Sequence, residues 1–166
     1  MRRLAFAIVP SIICILMLAG PVVAAEPAVI ADVDGVWIPI DEIPSYFCHD
    51  RDYPQIHCFA AADDLEAALA AGEGFAPLAA AATNYVVVFS QASYGGSYLY
   101  ISQDYDTLAI VGWNDRIRSF RALNGELGRF WTDWYQSGSF LNFCCNSNVP
   151  SLSSTYDERI TSVYRR

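Results

Sequence analysis

Hydrophobic and polar positions repeat along the second half of the chain. Val88-Phe89-Ser90-Gln91-Ala92-Ser93-Tyr94-Gly95-Gly96-Ser97-Tyr98-Leu99 aligns with Phe130-Trp131-Thr132-Asp133-Trp134-Tyr135-Gln136-Ser137-Gly138-Ser139-Phe140-Leu141. Further on, Gly112-Trp113-Asn114-Asp115-Arg116-Ile117-Arg118-Ser119-Phe120 aligns with Thr155-Tyr156-Asp157-Glu158-Arg159-Ile160-Thr161-Ser162-Val163. The offset is 42 residues at Gly96 and Gly138 and 43 at Ile117 and Ile160, a difference of one inserted residue. A fixed period of that size marks a duplicated supersecondary unit. The β-branched and aromatic run Tyr85-Val86-Val87-Val88-Phe89 favours a strand, while Gly95-Gly96 and Gly138 permit the positive φ of a chain folding over itself. Asn114-Asp115 and Asp157-Glu158 are turn residues whose side chains can bond nearby backbone amides. The pattern predicts a four-stranded antiparallel unit, used twice.

On those residues, 89–96 with 112–119 resembles one βγ-crystallin Greek-key motif, and 131–138 with 156–162 resembles its partner. The resemblance implies a mainly β fold for residues 84–166, a two-motif Greek-key β-sandwich with motif one over 85–121 and motif two over 129–165. Each motif is then expected to lend a strand to the other's sheet.

The first half reads differently. Met1-Arg2-Arg3, an apolar run over 4–19 and the small residues Val23-Ala24-Ala25 predict a secretory signal peptide over 1–25, with export to the extracellular space or periplasm. Residues 26–83 form an N-terminal extension with a strand around Gly35-Val36-Trp37-Ile38 and one short helix over 63–71. In that helix Asp63 is placed as the cap with Glu66 reaching back, Leu65, Ala68 and Leu69 on one face, and Gly72 at the end. Residues 75–83, with Ala79-Ala80-Ala81-Ala82, read as a linker or second short helix. Asp32-Val33-Asp34-Gly35 opens like a calcium loop, but it lacks the later ligands and terminal Glu, so it is read as an Asp-Gly turn.

Charge narrows the partners. Two arginines leave with the leader, so eight basic against eighteen acidic side chains remain, a net charge of −10, and the chain has no lysine. Nucleic acid and anionic membrane surfaces both need a basic patch, so neither is an expected partner, and no membrane anchor is expected after leader cleavage.

Cys48, Cys58, Cys144 and Cys145 remain after cleavage, an even count that in an exported protein predicts two disulfides. All three connectivities stay open, from a local Cys48-Cys58 bridge to two staples joining the extension to the Cys144-Cys145 pair. His49 and His57 lie just inside the first two cysteines. Their spacing does not match a structural zinc pattern, and they are expected as solvated loop residues.

The chemistry on offer is that of oxygen ligands. Within the resemblance, Asn/Asp-Asn/Asp-x-x-Ser/Thr-Ser is a calcium signature in which second and fifth positions of opposite motifs converge on an ion. The candidate metal residues are therefore Asn114, Asp115 and Ser119 in motif one and Asp157, Thr161 and Ser162 in motif two. The fifth position of motif one is Arg118, and the second position of motif two is Glu158. The scheme pairs Asp115 with Thr161 in a site able to hold calcium, whereas Arg118 replaces the ion in the other by pairing with Glu158. One site is thus expected rather than two, the alternative being that both motifs only hold turns, with Ser119 and Ser162 bonding the hairpin backbone.

The chain carries no His-Glu-x-x-His, nucleophile elbow or phosphate-binding Gly loop, and a non-enzymatic protein is expected. Most aromatics at strand spacing are expected in the core, and Trp134, inside a bend, is the best candidate for an exposed ligand contact. The leading expectation is a secreted calcium-binding module with a stabilising role. The alternative is a secreted metalloproteinase inhibitor of the same fold, acting through the loop at 48–58, and a toxin or cell-surface binder stands third.

Overall fold

The computed structural model describes residues 28–71 and 84–166; the leader, the Gly72 helix stop and the segment over 75–83 lie outside the described residues. The strands are β1 (Ile30–Val33), β2 (Val36–Ile38), β3 (Phe47–Asp52), β4 (Gln55–Phe59), β5 (Tyr85–Phe89), β6 (Tyr98–Ile101), β7 (Ser119–Leu123), β8 (Gly128–Asp133), β9 (Ser137–Phe143), β10 (Asn148–Val149) and β11 (Ser162–Arg165). Among the described residues one α-helix, α1 (Ala62–Ala71), lies between β4 and β5. Among the described residues no helix is long and apolar enough to cross a membrane.

An eight-stranded sheet runs β10-β7-β5-β6-β3-β4-β1-β2, and a three-stranded sheet runs β11-β8-β9. The two motifs exchange strands. β10 of motif two pairs with β7 of motif one, and Tyr105 of motif one bridges Val163 on β11 through two backbone hydrogen bonds of 2.9 and 3.0 Å. Residues 84–166 therefore have a βγ-crystallin-type fold, a Greek-key β-sandwich in which neither motif completes its sheet alone.

β5 explains the layering. All five of its residues are buried, although successive side chains point to opposite faces. Val86 and Val88 join Leu99, Ile101 and Phe120 in the core shared with Phe130, Phe143, Ile160 and Val163 of the second motif. Val87 and Phe89 face the other way and pack with Tyr98 against Leu65 of α1. A strand covered on both sides reads as a continuous apolar run, as this one does. α1 starts one residue before the expected Asp63, and Glu66 does not serve as a cap partner. Its carboxylate accepts from the hydroxyls of Tyr98 (3.0 Å) and Tyr100 (2.8 Å), tying the helix to β6.

Among the described residues the extension contains four strands where one was expected, and it continues the main sheet. β3 runs parallel to β6, with Phe47 opposite Tyr98 and His49 opposite Tyr100. Polar side chains hid this strand in the sequence, because Cys48, His49 and Asp50 are all buried. Asp50 is the joint: its carboxylate accepts from Ser102 N (2.6 Å) and from the Tyr105 hydroxyl (2.7 Å), both in motif one. Burial raises its pKa, while those hydrogen bonds oppose the rise. The Asp32–Gly35 segment is a turn, as expected: Asp34 and Gly35 take positive φ, and Gly35 N donates to Asp32.

Two expectations are corrected. The histidines are not loop residues but cross-strand partners on β3 and β4, with ring centroids 5.4 Å apart and His49 only 2% exposed. The cysteines form one bridge, not two: register sets Cys48 opposite Cys58, their sulfurs are bonded at 2.08 Å, and Cys144 and Cys145 are exposed free thiols. β10, just after the free pair, is four places from β3 in the sheet, roughly 19 Å at strand spacing and beyond disulfide reach. The 48–58 loop is thereby a hairpin built into the sheet.

Two tests follow from these buried polar groups. Asp50→Ala leaves two donors facing the gap and is expected to lower unfolding free energy by about 2–4 kcal/mol in denaturant titrations. Desolvation, reinforced by His57 and Arg51, lowers the His49 pKa from 6.5 to about 4. As pH falls through that window the unfolded chain takes up a proton that the fold refuses, so this contribution to stability is complete above about 6.5 and is lost on approaching 4. The loss should reach about 3 kcal/mol relative to a His49→Gln variant measured at the same pH values.

Candidate functional site

The duplicated loops share the same run of positive φ values. Ser93, Tyr94 and Gly96 have φ of 58°, 61° and 73°, and their counterparts Tyr135, Gln136 and Gly138 have 55°, 57° and 77°. Asp115 and Glu158, the second residues of the two turns, sit at 55° and 54°. Such values are uncommon outside Gly and persist where surrounding contacts enforce them. Gly138 is required as well as tolerated: a Cβ there would collide with the Asp133 carboxylate, as one at Gly96 would with the Ser90 hydroxyl.

The enforcing contact is a buried serine in each motif. Ser119 donates to Gln91 O (2.6 Å) and accepts from Tyr94 N (3.1 Å); Ser162 donates to Asp133 O (2.8 Å) and accepts from Gln136 N (3.3 Å). Both serines are fully buried, so their hydroxyls lock the folded hairpins. The two turns also interlock: Asp115 N donates to Ile160 O (3.0 Å), and Glu158 N donates to Ile117 O (3.1 Å).

That interlock brings the predicted pairs together. Thr161 donates to the Asp115 carboxylate across the motif boundary at 3.3 Å. Asn114 Nδ2 donates to the other Asp115 oxygen (2.7 Å), while Asn114 Oδ1 is buried without a hydrogen-bond partner. In the opposite turn Arg118 takes Asp157 as its main partner, at 3.2 and 3.3 Å, with Glu158 farther away at 3.9 Å. Arg118 was expected to pair with Glu158, but the closer carboxylate is that of Asp157. Of the six candidate ligands, Asn114, Asp115 and Thr161 converge, Asp157 is held by Arg118, and Ser119 and Ser162 hold hairpins.

Asn114, Asp115 and Thr161 open onto a groove of about 1040 Å³ whose other wall includes Asp133, Trp134 and Tyr135. Asp133 was not among the sequence candidates; the signal was its place in the bend, two residues after Trp131, where motif one has Gln91. Among the described residues no group of three or more His, Cys, Asp or Glu is placed to hold a metal. An ion here would instead be met by amide, carboxylate and hydroxyl oxygens. That donor set suits Ca²⁺, and the unpartnered Asn114 oxygen fits it; backbone carbonyls and water would complete the about six to eight ligands calcium takes.

Solved structures similar to this half of the chain include a βγ-crystallin from Ciona intestinalis (TM-score 0.45, 21% identity, covering 49% of this chain and 99% of that one). Others are a βγ-crystallin from an archaeon (0.44, 21%, 50% and 98%) and a βγ-crystallin domain from Flavobacterium johnsoniae (0.44, 23%, 49% and 92%). No protein-family model and no curated protein matches the chain.

If the serine clips hold the hairpins, Ser119→Ala and Ser162→Ala should each lower unfolding free energy by about 1–2 kcal/mol in denaturant titrations, by similar amounts in the two motifs.

Proposed function

We propose that this chain is a secreted, non-catalytic module whose crystallin-type domain binds one calcium ion weakly and is stabilised by it. The observation that carries the proposal is the convergence of Asn114 and Asp115 from motif one with Thr161 from motif two, one of them with an unpartnered buried oxygen. An ion shared by both motifs binds only the assembled sandwich, so it stabilises the fold by mass action. The opposite turn offers no equivalent site, because the Arg118 guanidinium already neutralises Asp157. Extracellular calcium modules bind in roughly the 10⁻⁴–10⁻³ M range, which is the affinity expected from so few side-chain oxygens.

The test is thermal unfolding of the oxidised chain from Glu26 onward in about 10 mM calcium, in magnesium and in chelator. Calcium alone should raise the midpoint by about 5 °C or more. Asp115→Gly, which keeps the positive φ while removing the carboxylate, and Thr161→Val should abolish the rise. Arg118→Thr should admit a second ion in calorimetric titration. An unchanged calcium response in Asp115→Gly would overturn the assignment. Capture of a secreted metalloproteinase by all of these variants alike would favour the inhibitor in its place.

A further inference from the structure

The two hairpin bends share one backbone conformation, yet their tips carry different side chains. Motif one places Ala92 and Ser93 where motif two places Trp134 and Tyr135. Ser93 and Tyr135 have φ of 58° and 55°, and both bends are clipped by equivalent serine hydrogen bonds. Motif one is thus an internal control, showing that the fold needs no aromatic residue at these two positions; its own bend aromatic, Tyr94, stands one place further on and packs against Phe89 and Arg121. Trp134 and Tyr135 are 56% and 73% exposed and belong to neither hydrophobic core cluster. Tryptophan and tyrosine are the residues that contribute most in binding interfaces, since they offer a broad rigid face with a polar edge.

The groove beside them defines what they would bind. Apart from this aromatic pair and the Arg159 guanidinium, its polar walls are carboxylate, amide and hydroxyl, among them Asp115, Asp133, Glu158, Asn114, Ser137 and Ser139. A lining so polar does not suit a purely apolar ligand. Three carboxylates against the single cation Arg159 repel phosphates, acidic sugars and anionic lipid. A neutral pyranose satisfies both conditions, because its ring has an apolar C–H face to lie on an indole and equatorial hydroxyls that can donate to carboxylates and exchange hydrogen bonds with serines.

We propose that the Trp134–Tyr135 bend is a binding platform for a neutral glycan, with a pyranose ring on Trp134 and its hydroxyls held by Asp133, Ser137 and Ser139. The platform needs no ion and goes beyond the calcium proposal.

The internal control supplies the decisive variant. W134A/Y135S gives motif two the Ala-Ser pair of motif one at two exposed positions and is expected to fold with an unchanged midpoint of unfolding. The oxidised chain from Glu26 onward would be tested for retention on insoluble cellulose, chitin and mannan, and by calorimetry with the corresponding soluble hexasaccharides, in millimolar calcium and again in chelator. Binding to at least one polysaccharide is expected, with affinity at least about tenfold lower in W134A/Y135S and unchanged in W37A, which alters the exposed tryptophan of β2. Failure to bind any of the three in either buffer would overturn the proposal, as would equal binding by W134A/Y135S. Tryptophan-dependent capture by phosphatidylcholine or phosphatidylserine vesicles without glycan binding would also overturn it, in favour of a membrane contact. Because the calcium proposal is read from Asp115→Gly and Thr161→Val, either proposal can fail while the other stands.

Discussion

Exchange of backbone between the motifs closes the sandwich. β10 leaves motif two to extend the sheet of motif one, and the segment at Tyr105 crosses the other way to meet β11. Because each sheet contains backbone from both halves, the core between them is a single unit: Phe120 of one motif packs on Phe130 of the other with ring centroids 5.1 Å apart. The exchange also brings the two polar turns against each other, so that Asp115 and Thr161, 46 residues apart, come within hydrogen-bond reach. A candidate ion site at that seam is a consequence of closing the sandwich.

The same logic integrates the N-terminal extension. A crystallin-type sheet ending at β6 would present an open edge, a liability for uncontrolled pairing, and here β3 covers it. α1 then covers the outer face of β5 and β6, with Leu65 in an apolar patch and Glu66 on two tyrosine hydroxyls. Polar ties complete the attachment. Asp50 holds Ser102 and Tyr105, and across the sandwich Arg165 forms a two-pronged ion pair with the buried Glu126 at 2.8 and 2.9 Å. Extension and Greek-key motifs share one core cluster, in which Ile43, Ile56 and Cys48 lie with Val86 and Phe120.

Differences between the two copies show where the fold leaves freedom. Serine, glycine and isoleucine positions recur because the hairpin clip, the crowded bend and the buried turn each admit little else. Arg118 against Thr161, and Trp134-Tyr135 against Ala92-Ser93, are places where one backbone conformation carries opposite chemistry. Those positions are where function can vary without changing the fold.

The features legible before folding are local ones. The duplication, the bends at Gly96 and Gly138 and the strand character of 85–89 were legible because alternation and positive φ are decided within a few residues. The reciprocal pairing of Asp115 with Thr161 was legible too, through the crystallin-like spacing of two turns. The features set by packing concern distant partners. β3 did not read as a strand because Cys48, His49 and Asp50 are polar or neutral in pattern, and the burial of Cys48 and Asp50 is tolerated because Cys58 and, 52 and 55 residues from Asp50, Ser102 and Tyr105 meet them. The preference of Arg118 for Asp157 over Glu158 and the failure of Cys144 and Cys145 to reach the extension were likewise set by where the sheets put these residues. Local chemistry fixes which conformations a segment can adopt, whereas the choice among partners tens of residues apart is made by the packing of the closed sandwich.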